Sequence, residues 1–275
     1  MTEFVTRLRA GTLPDRAVSI TFDDGYRDNL RAAKPLLQQA GLPATVFLTT
    51  GTLGSNREFW WDELTRLILA NPSSVEVEAI VGGQPLWLRF DAPEPEDRPT
   101  SCWRAWDLPV TARQKLFLSV WSRLRLLDHT VIEAGMAVLR GILDGGAPDP
   151  ADCPMTADEV PELLAGGMIE LGAHTVTHPL LPLLTPRSRA REIRASKAAC
   201  EALTGSAVEG FAYPYGGTDP ETAALVRDSG FTWACSTRNG GVDRYSGDRF
   251  DLPRLQVLDW AEADFAAAIG RMQAT

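Results

Sequence analysis

Short apolar runs rich in β-branched residues alternate along this chain with segments whose apolar positions recur every three to four residues. Ala17 to Phe22 (Ala-Val-Ser-Ile-Thr-Phe) and Ala44 to Leu48 (Ala-Thr-Val-Phe-Leu) read as buried strands. Between them, Asn29 to Ala40 carries Leu30, Ala33, Leu36 and Leu37 on one face up to Gly41, which predicts a helix despite Pro35. Strand, helix and strand within about 30 residues predict a right-handed βαβ unit in a parallel sheet.

The alternation resumes in the second half. Thr156 to Ala165 predicts a helix with a capping-box start, Met168 to Ala173 a strand, and Arg187 to Leu203 an amphipathic helix with Ile193, Ala195, Ala199 and Cys200 facing inward. A strand over Val208 to Ala212, a helix over Pro220 to Ser229, a strand over Phe231 to Ser236 and a last helix over Trp260 to Met272 follow. Residues 1 to 10 read as the end of a short helix. Repeated strand–helix alternation makes a parallel α/β barrel the expected architecture.

Residues 55 to 153 break the pattern and predict a mostly helical inserted lobe within a single domain spanning 1–275. A helix from Phe59 to Ala70, a hairpin over Ser74 to Phe90 turning at Gly82-Gly83, a Pro- and acid-rich loop over Asp91 to Thr100, and helices over Thr111 to Arg125 and His129 to Asp144 are expected. Trp60, Trp61, Trp103 and Trp106 lie in this lobe. Each is either part of a small core or a platform for a sugar ring. His129, at a helix start, reads as a surface or capping residue.

Two polar clusters stand at predicted strand ends, where α/β folds carry their chemistry. Asp23 and Asp24 close the first strand, and His174 and His178 follow the strand ending at Ala173. Adjacent carboxylates repel unless a cation is supplied, and two of the chain's three histidines fall in one five-residue window. One Asp and two His with open positions suit a divalent metal, Zn²⁺ first, with Co, Ni or Mn as alternatives.

The chain resembles a known family. Thr21-Phe22-Asp23-Asp24-Gly25-Tyr26, His174-Thr175-Val176-Thr177-His178-Pro179 and Phe211-Ala212-Tyr213-Pro214-Tyr215-Gly216 are similar to motifs of the polysaccharide deacetylases, the NodB-homology or carbohydrate esterase family 4 enzymes. The likeness runs over about residues 10–55 and 155–260. It implies a distorted (β/α)7 barrel, Asp23 as general base, Asp24, His174 and His178 as metal ligands, and the Tyr215 backbone N–H as an oxyanion donor. Tyr26, Pro214, Trp60 and Trp61 are candidates for substrate contact.

Two departures stand out. Ala212 occupies the place of the family's third-motif arginine, and no histidine follows His178 to act as the acid. Arg254, in Leu252-Pro253-Arg254, is either the replacement arginine beside Asp23 or a rim arginine. The Phe-x-Tyr-Pro-Tyr-Gly and Leu-Pro-Arg motifs resemble a circularly permuted branch whose acid histidine precedes the first motif. The chain therefore reads as an N-terminally shortened member or one with another acid.

The implied reaction is metal-dependent removal of N-acetyl groups from N-acetylhexosamine units of a polysaccharide, oligosaccharide or glycan precursor. A sugar O-acetyl esterase or small-amide amidohydrolase on the same site, and a non-catalytic carbohydrate-binding relative, are the alternatives. A net charge of −9 argues against nucleic acid or anionic lipid as partner. No run of about 18 apolar residues is present for a membrane span. The N-terminal stretch lacks an apolar signal core, so a cytoplasmic location is expected. Cys102, Cys153, Cys200 and Cys235 form no Cys-x-x-Cys pair and read as buried thiols.

Overall fold

A computed structural model describes residues 1–55, 57–92, 103–105, 107–243 and 247–272. Cys102, Trp106 and most of the expected 91–100 loop lie outside the described residues. The chain divides into two compact units, one of Met1–Gly54 with Met155–Thr275, the other Ser55–Pro154.

In the first unit, β1 (Ile20–Phe22), β2 (Ala44–Leu48), β5 (Ile169–Ala173), β6 (Gly210–Ala212) and β7 (Trp233–Cys235) form one sheet in that spatial order, every neighbouring pair parallel. β2 is buried at all five positions, as its unbroken apolar run requires. β1 is shorter than expected because Val18 is exposed and pairing with β2 begins only where Ile20 meets Ala44. A parallel bridge between Cys235 and Leu252 carries the curl one position past β7. The result is a curled parallel half-barrel of five strands among the described residues, consistent with the distorted (β/α)7 barrel type that the resemblance implies.

Helices cover the sheet. The expected helix over residues 29–40 is a π-helical turn, Asn29–Ala33, running into α2 (Lys34–Ala40). Pro35 is the reason: it has no N–H for the carbonyl four residues back, and in the first turn of α2 that loss is harmless. Thr156 and Glu159 form the expected reciprocal cap of α6 (Glu159–Leu164), each side chain accepting the other's backbone N–H. In α7 (Pro186–Thr204) the buried face holds Arg189, Glu192, Ile193, Ser196 and Cys200; Ala195 is exposed and Ala199 only half-buried, because the stripe passes through Ser196. Leu48, Ile193, Phe211, Tyr213 and Val226 lie at the centre of this core. α1 (Thr2–Arg9), α8 (Pro220–Asp228) and α9 (Glu262–Met272) complete the unit.

The second unit has its own core. α3 (Trp60–Leu64) and a π-helical turn (Thr65–Leu69), the antiparallel hairpin β3 (Val75–Val81) and β4 (Gln84–Phe90), α4 (Ala112–Leu124) and α5 (His129–Ile142) enclose Leu64, Ile68, Leu88, Leu124, Met136 and Leu139. Thr111 and Gln114 cap α4 reciprocally. His129 is the first residue of α5, and Asp128 is its cap. Cys153, Cys200 and Cys235 are buried thiols. Among the described residues no helix is long and apolar enough to cross a membrane.

Candidate metal centre and catalytic site

The carboxyl ends of β1, β2 and β5 deliver the polar groups. After Phe22 the chain turns sharply: the Gly25 N–H donates to the Asp23 carbonyl at 2.8 Å, and Asp24 takes a left-handed φ of 70°. The Thr49 N–H, just past β2, donates to the Asp24 carbonyl at 3.2 Å and fixes the turn to the sheet. On β5 the ladder runs one residue further, the His174 N–H donating to the Leu48 carbonyl at 2.9 Å. Pro179 then ends any extension.

Asp24 Oδ1 lies 3.5 Å from His174 Nε2 and 3.4 Å from His178 Nε2. One ligand atom from each of the three residues lies within 4.8 Å of the others, so the group could hold a metal ion. His174 Nδ1 is 2.8 Å from the Ala212 carbonyl, which can only accept, so Nδ1 carries the hydrogen and Nε2 presents its lone pair toward Asp24. Burial lowers the pKa of both imidazoles, with the Asp23 charge opposing it and, at His178, the neighbouring His174 adding to it. Both rings are therefore neutral near pH 7, the form in which histidine ligates.

Asp23 stands beside this group and points elsewhere. Arg254 donates Nη1–H to Oδ1 and Nη2–H to Oδ2, each at 2.7 Å, while its Nε–H donates to the Ser236 carbonyl at 3.0 Å and Nη1–H also to Thr21 Oγ1 at 3.2 Å. Burial raises the Asp23 pKa, but the Arg254 charge and hydrogen bonds, helped by the two histidines, bring it below the ordinary 3.8. Of the two readings open for Arg254, the geometry is that of the arginine beside Asp23.

Tyr215 sits in the turn Pro214–Gly216 with φ 56°, its ring edge-on to His178 at 4.5 Å between centroids. Gly216, at φ 67°, is required there: a Cβ would fall 2.0 Å from Thr237 Oγ1. Pro214 is buried beneath it, and Tyr26 is half-buried just after the aspartate turn. Trp60, 5% exposed, is packed into the core of the second unit and has no open ring face for a sugar. Trp61 is half-buried and stacks on Phe59, centroids 4.6 Å and planes 8° apart.

Three groups escape the motif pattern: the Ala212 carbonyl, Glu192, which binds the loop between the histidines, and Gly51, which passes against that loop. Only Glu192 leaves a trace in the sequence, as an acid in register with the buried stripe of α7.

The sequence model of the family described as polysaccharide deacetylase matches residues 10–79 and 121–234. The likeness thus enters the inserted segment at both ends, further than the motifs imply, and stops short of residue 260. Bacillus subtilis (strain 168) YxkH, named provisionally as a polysaccharide deacetylase, is 34% identical over 53 residues, 19% of either chain. This chain therefore aligns with about a fifth of that relative's length. The Streptococcus pyogenes deacetylase PplD, solved in complex with acetate, aligns at TM-score 0.57 and 16% identity, covering 98% of this chain and 78% of its own. IcaB from Ammonifex degensii aligns at TM-score 0.51 and 18% identity, covering 95% and 75%. These structures share the fold. Because the family's own model matches well over half of the sequence and spans both the aspartate turn and the histidine loop, this chain belongs to the polysaccharide deacetylase family.

Proposed function

We propose that the chain is a metal-dependent hydrolase that removes N-acetyl groups from N-acetylhexosamine units of a polysaccharide, oligosaccharide or glycan precursor. The observation that carries this reading is the convergence of Asp24, His174 and His178 beside an Asp23 held by Arg254. A divalent ion on those three ligands, zinc first, supplies Lewis-acid polarisation of an acyl carbonyl and of water.

The chain's own groups do the rest. Asp23 is ionised at neutral pH and accepts the proton of the attacking water. Arg254 keeps that carboxylate oriented and charged. The Tyr215 backbone N–H donates to the developing oxyanion. Water adds to the acetyl carbon, the C–N bond breaks, and the proton held by Asp23 passes to the departing nitrogen, leaving acetate and a free amine. The low pKa that keeps Asp23 ionised and free to accept a proton suits it to no more than brief storage of that proton.

Release of an O-acetyl group on the same site is the second reading, favoured because an alkoxide makes a smaller demand on that acid than an amine nitrogen does. The test begins with zinc and cobalt content of the purified protein beside Asp24→Ala and His178→Ala. About one ion per chain, lost in both variants, is expected. Acetate release from N-acetylglucosamine oligomers and from an acetyl ester then separates the readings. Turnover of the ester alone would reject the amide reading, and a wild type that takes up no metal would reject both.

A further inference from the structure

We propose that Glu192 is a positioning residue for the metal centre, a buried carboxylate that holds the His174–His178 loop in its ligating shape without touching a ligand atom. The proposal rests on the metal-dependent reading above.

The loop is conformationally costly. Thr175 and His178 both have left-handed backbones, at φ 67° and 57°, and a β-branched residue rarely adopts that region. Such a loop persists only if its surroundings over-determine it. Within the loop, Thr175 Oγ1 accepts the His178 N–H at 3.0 Å. On one side the Thr50 N–H donates to the Thr175 carbonyl at 3.1 Å and the Gly51 N–H to the Val176 carbonyl at 2.8 Å.

Glu192 closes the other side. Its side chain rises from α7, 4% exposed, and Oε2 accepts the Val176 N–H at 2.8 Å and the Thr177 N–H at 2.9 Å. Oε1 accepts the Thr177 hydroxyl at 2.9 Å. Three donors from two consecutive residues thus converge on one buried carboxyl group. The middle of the loop is clamped between the β2 exit and α7, and the two imidazoles sit at its ends. Without Glu192 the two amides lose their buried acceptor, the left-handed turns relax, and His178 Nε2 leaves its place opposite His174.

Zinc titrated calorimetrically into metal-free wild type, Glu192→Ala, Glu192→Gln and Ser196→Ala tests this. Ser196 is the control: buried one turn further along α7, it donates to the Ile193 carbonyl and leaves the loop alone. Glu192→Ala is expected to weaken zinc binding by about 10- to 100-fold, the range for groups that orient metal ligands. Glu192→Gln, which keeps a carbonyl acceptor, falls between it and wild type, and it carries the test if the alanine variant does not fold. Ser196→Ala binds as wild type. Equal affinity in wild type and the Glu192 variants, or equal weakening in Ser196→Ala, overturns the proposal. A folded wild type that takes up no zinc fails differently, overturning the metal reading and this proposal with it.

Discussion

Arg254 grips Asp23 side-on, with one terminal nitrogen on each carboxylate oxygen at 2.7 Å, across 231 positions of sequence. The guanidinium is itself fixed by the Ser236 carbonyl and the Thr21 hydroxyl, so its plane is set before substrate arrives. Two parallel bonds fix both the orientation and the charge of the carboxylate, which a lysine could not reproduce.

That pair has a pH signature. Burial alone favours the neutral acid, and the arginine reverses it, so Asp23 stays ionised as pH falls through 3.8 toward its lowered value. In Arg254→Leu the burial remains and the opposing charge is gone, so the Asp23 pKa rises. The acidic limb of the kcat/KM profile is expected to move to higher pH, with kcat reduced at neutral pH. An unmoved limb would separate Asp23 from the proton transfer.

The approach of Gly51 to the histidine loop gives a second prediction. A Cβ there would lie 2.5 Å from the Val176 carbonyl oxygen, a backbone atom with little freedom to retreat. Gly51→Ala is expected to lose about 1–3 kcal/mol of stability in urea unfolding and to bind zinc more weakly. Stability equal to wild type would mean that the loop can shift at no cost.

Glu159 gives the third. Burial pushes its pKa up, but the Thr156 N–H and the guanidinia of Arg27 and Arg31 overcome that and bring it from 4.5 to about 2. A lowered carboxylate stabilises the fold fully above pH 4.5, and that stability fades as pH falls toward about 2. Glu159→Gln is therefore expected to be less stable than wild type at pH 7, the gap closing between those limits. A gap independent of pH in urea unfolding would assign the loss to the cap geometry instead of the charge.

The fourth concerns the second unit. Arg113 is buried and donates to the carbonyls of Ile68, Asn71, Ser73 and Asp91, with its guanidinium 4.4 Å over the Phe90 ring. It ties α4 to the end of the π-helical turn and to the hairpin exit. Arg113→Leu leaves the buried carbonyls of Ile68 and Asn71 without this donor, each worth about 1–3 kcal/mol. Faster amide exchange in β3 and β4 than in β2 is the expected result, and an unchanged exchange pattern would show that water replaces the guanidinium.

The sequence by itself determined the element types, the two polar clusters and the family. Ala44–Leu48, the 75–90 hairpin, α4, α5 and α7 are legible because burial is written locally, in side-chain periods of two and 3.6. The capping box at Thr156 is legible for the same reason, since it spans four consecutive positions. Strand ends were less legible, because pairing with a neighbour, and not propensity, decides where β1 begins. Tertiary structure alone decided that Arg254 serves Asp23, that the Ala212 carbonyl sets the tautomer of His174, that Glu192 braces the histidine loop, and that Trp60 is core. These contacts join residues far apart in the chain, and whether they meet depends on the curl of the parallel sheet, a property no local pattern encodes.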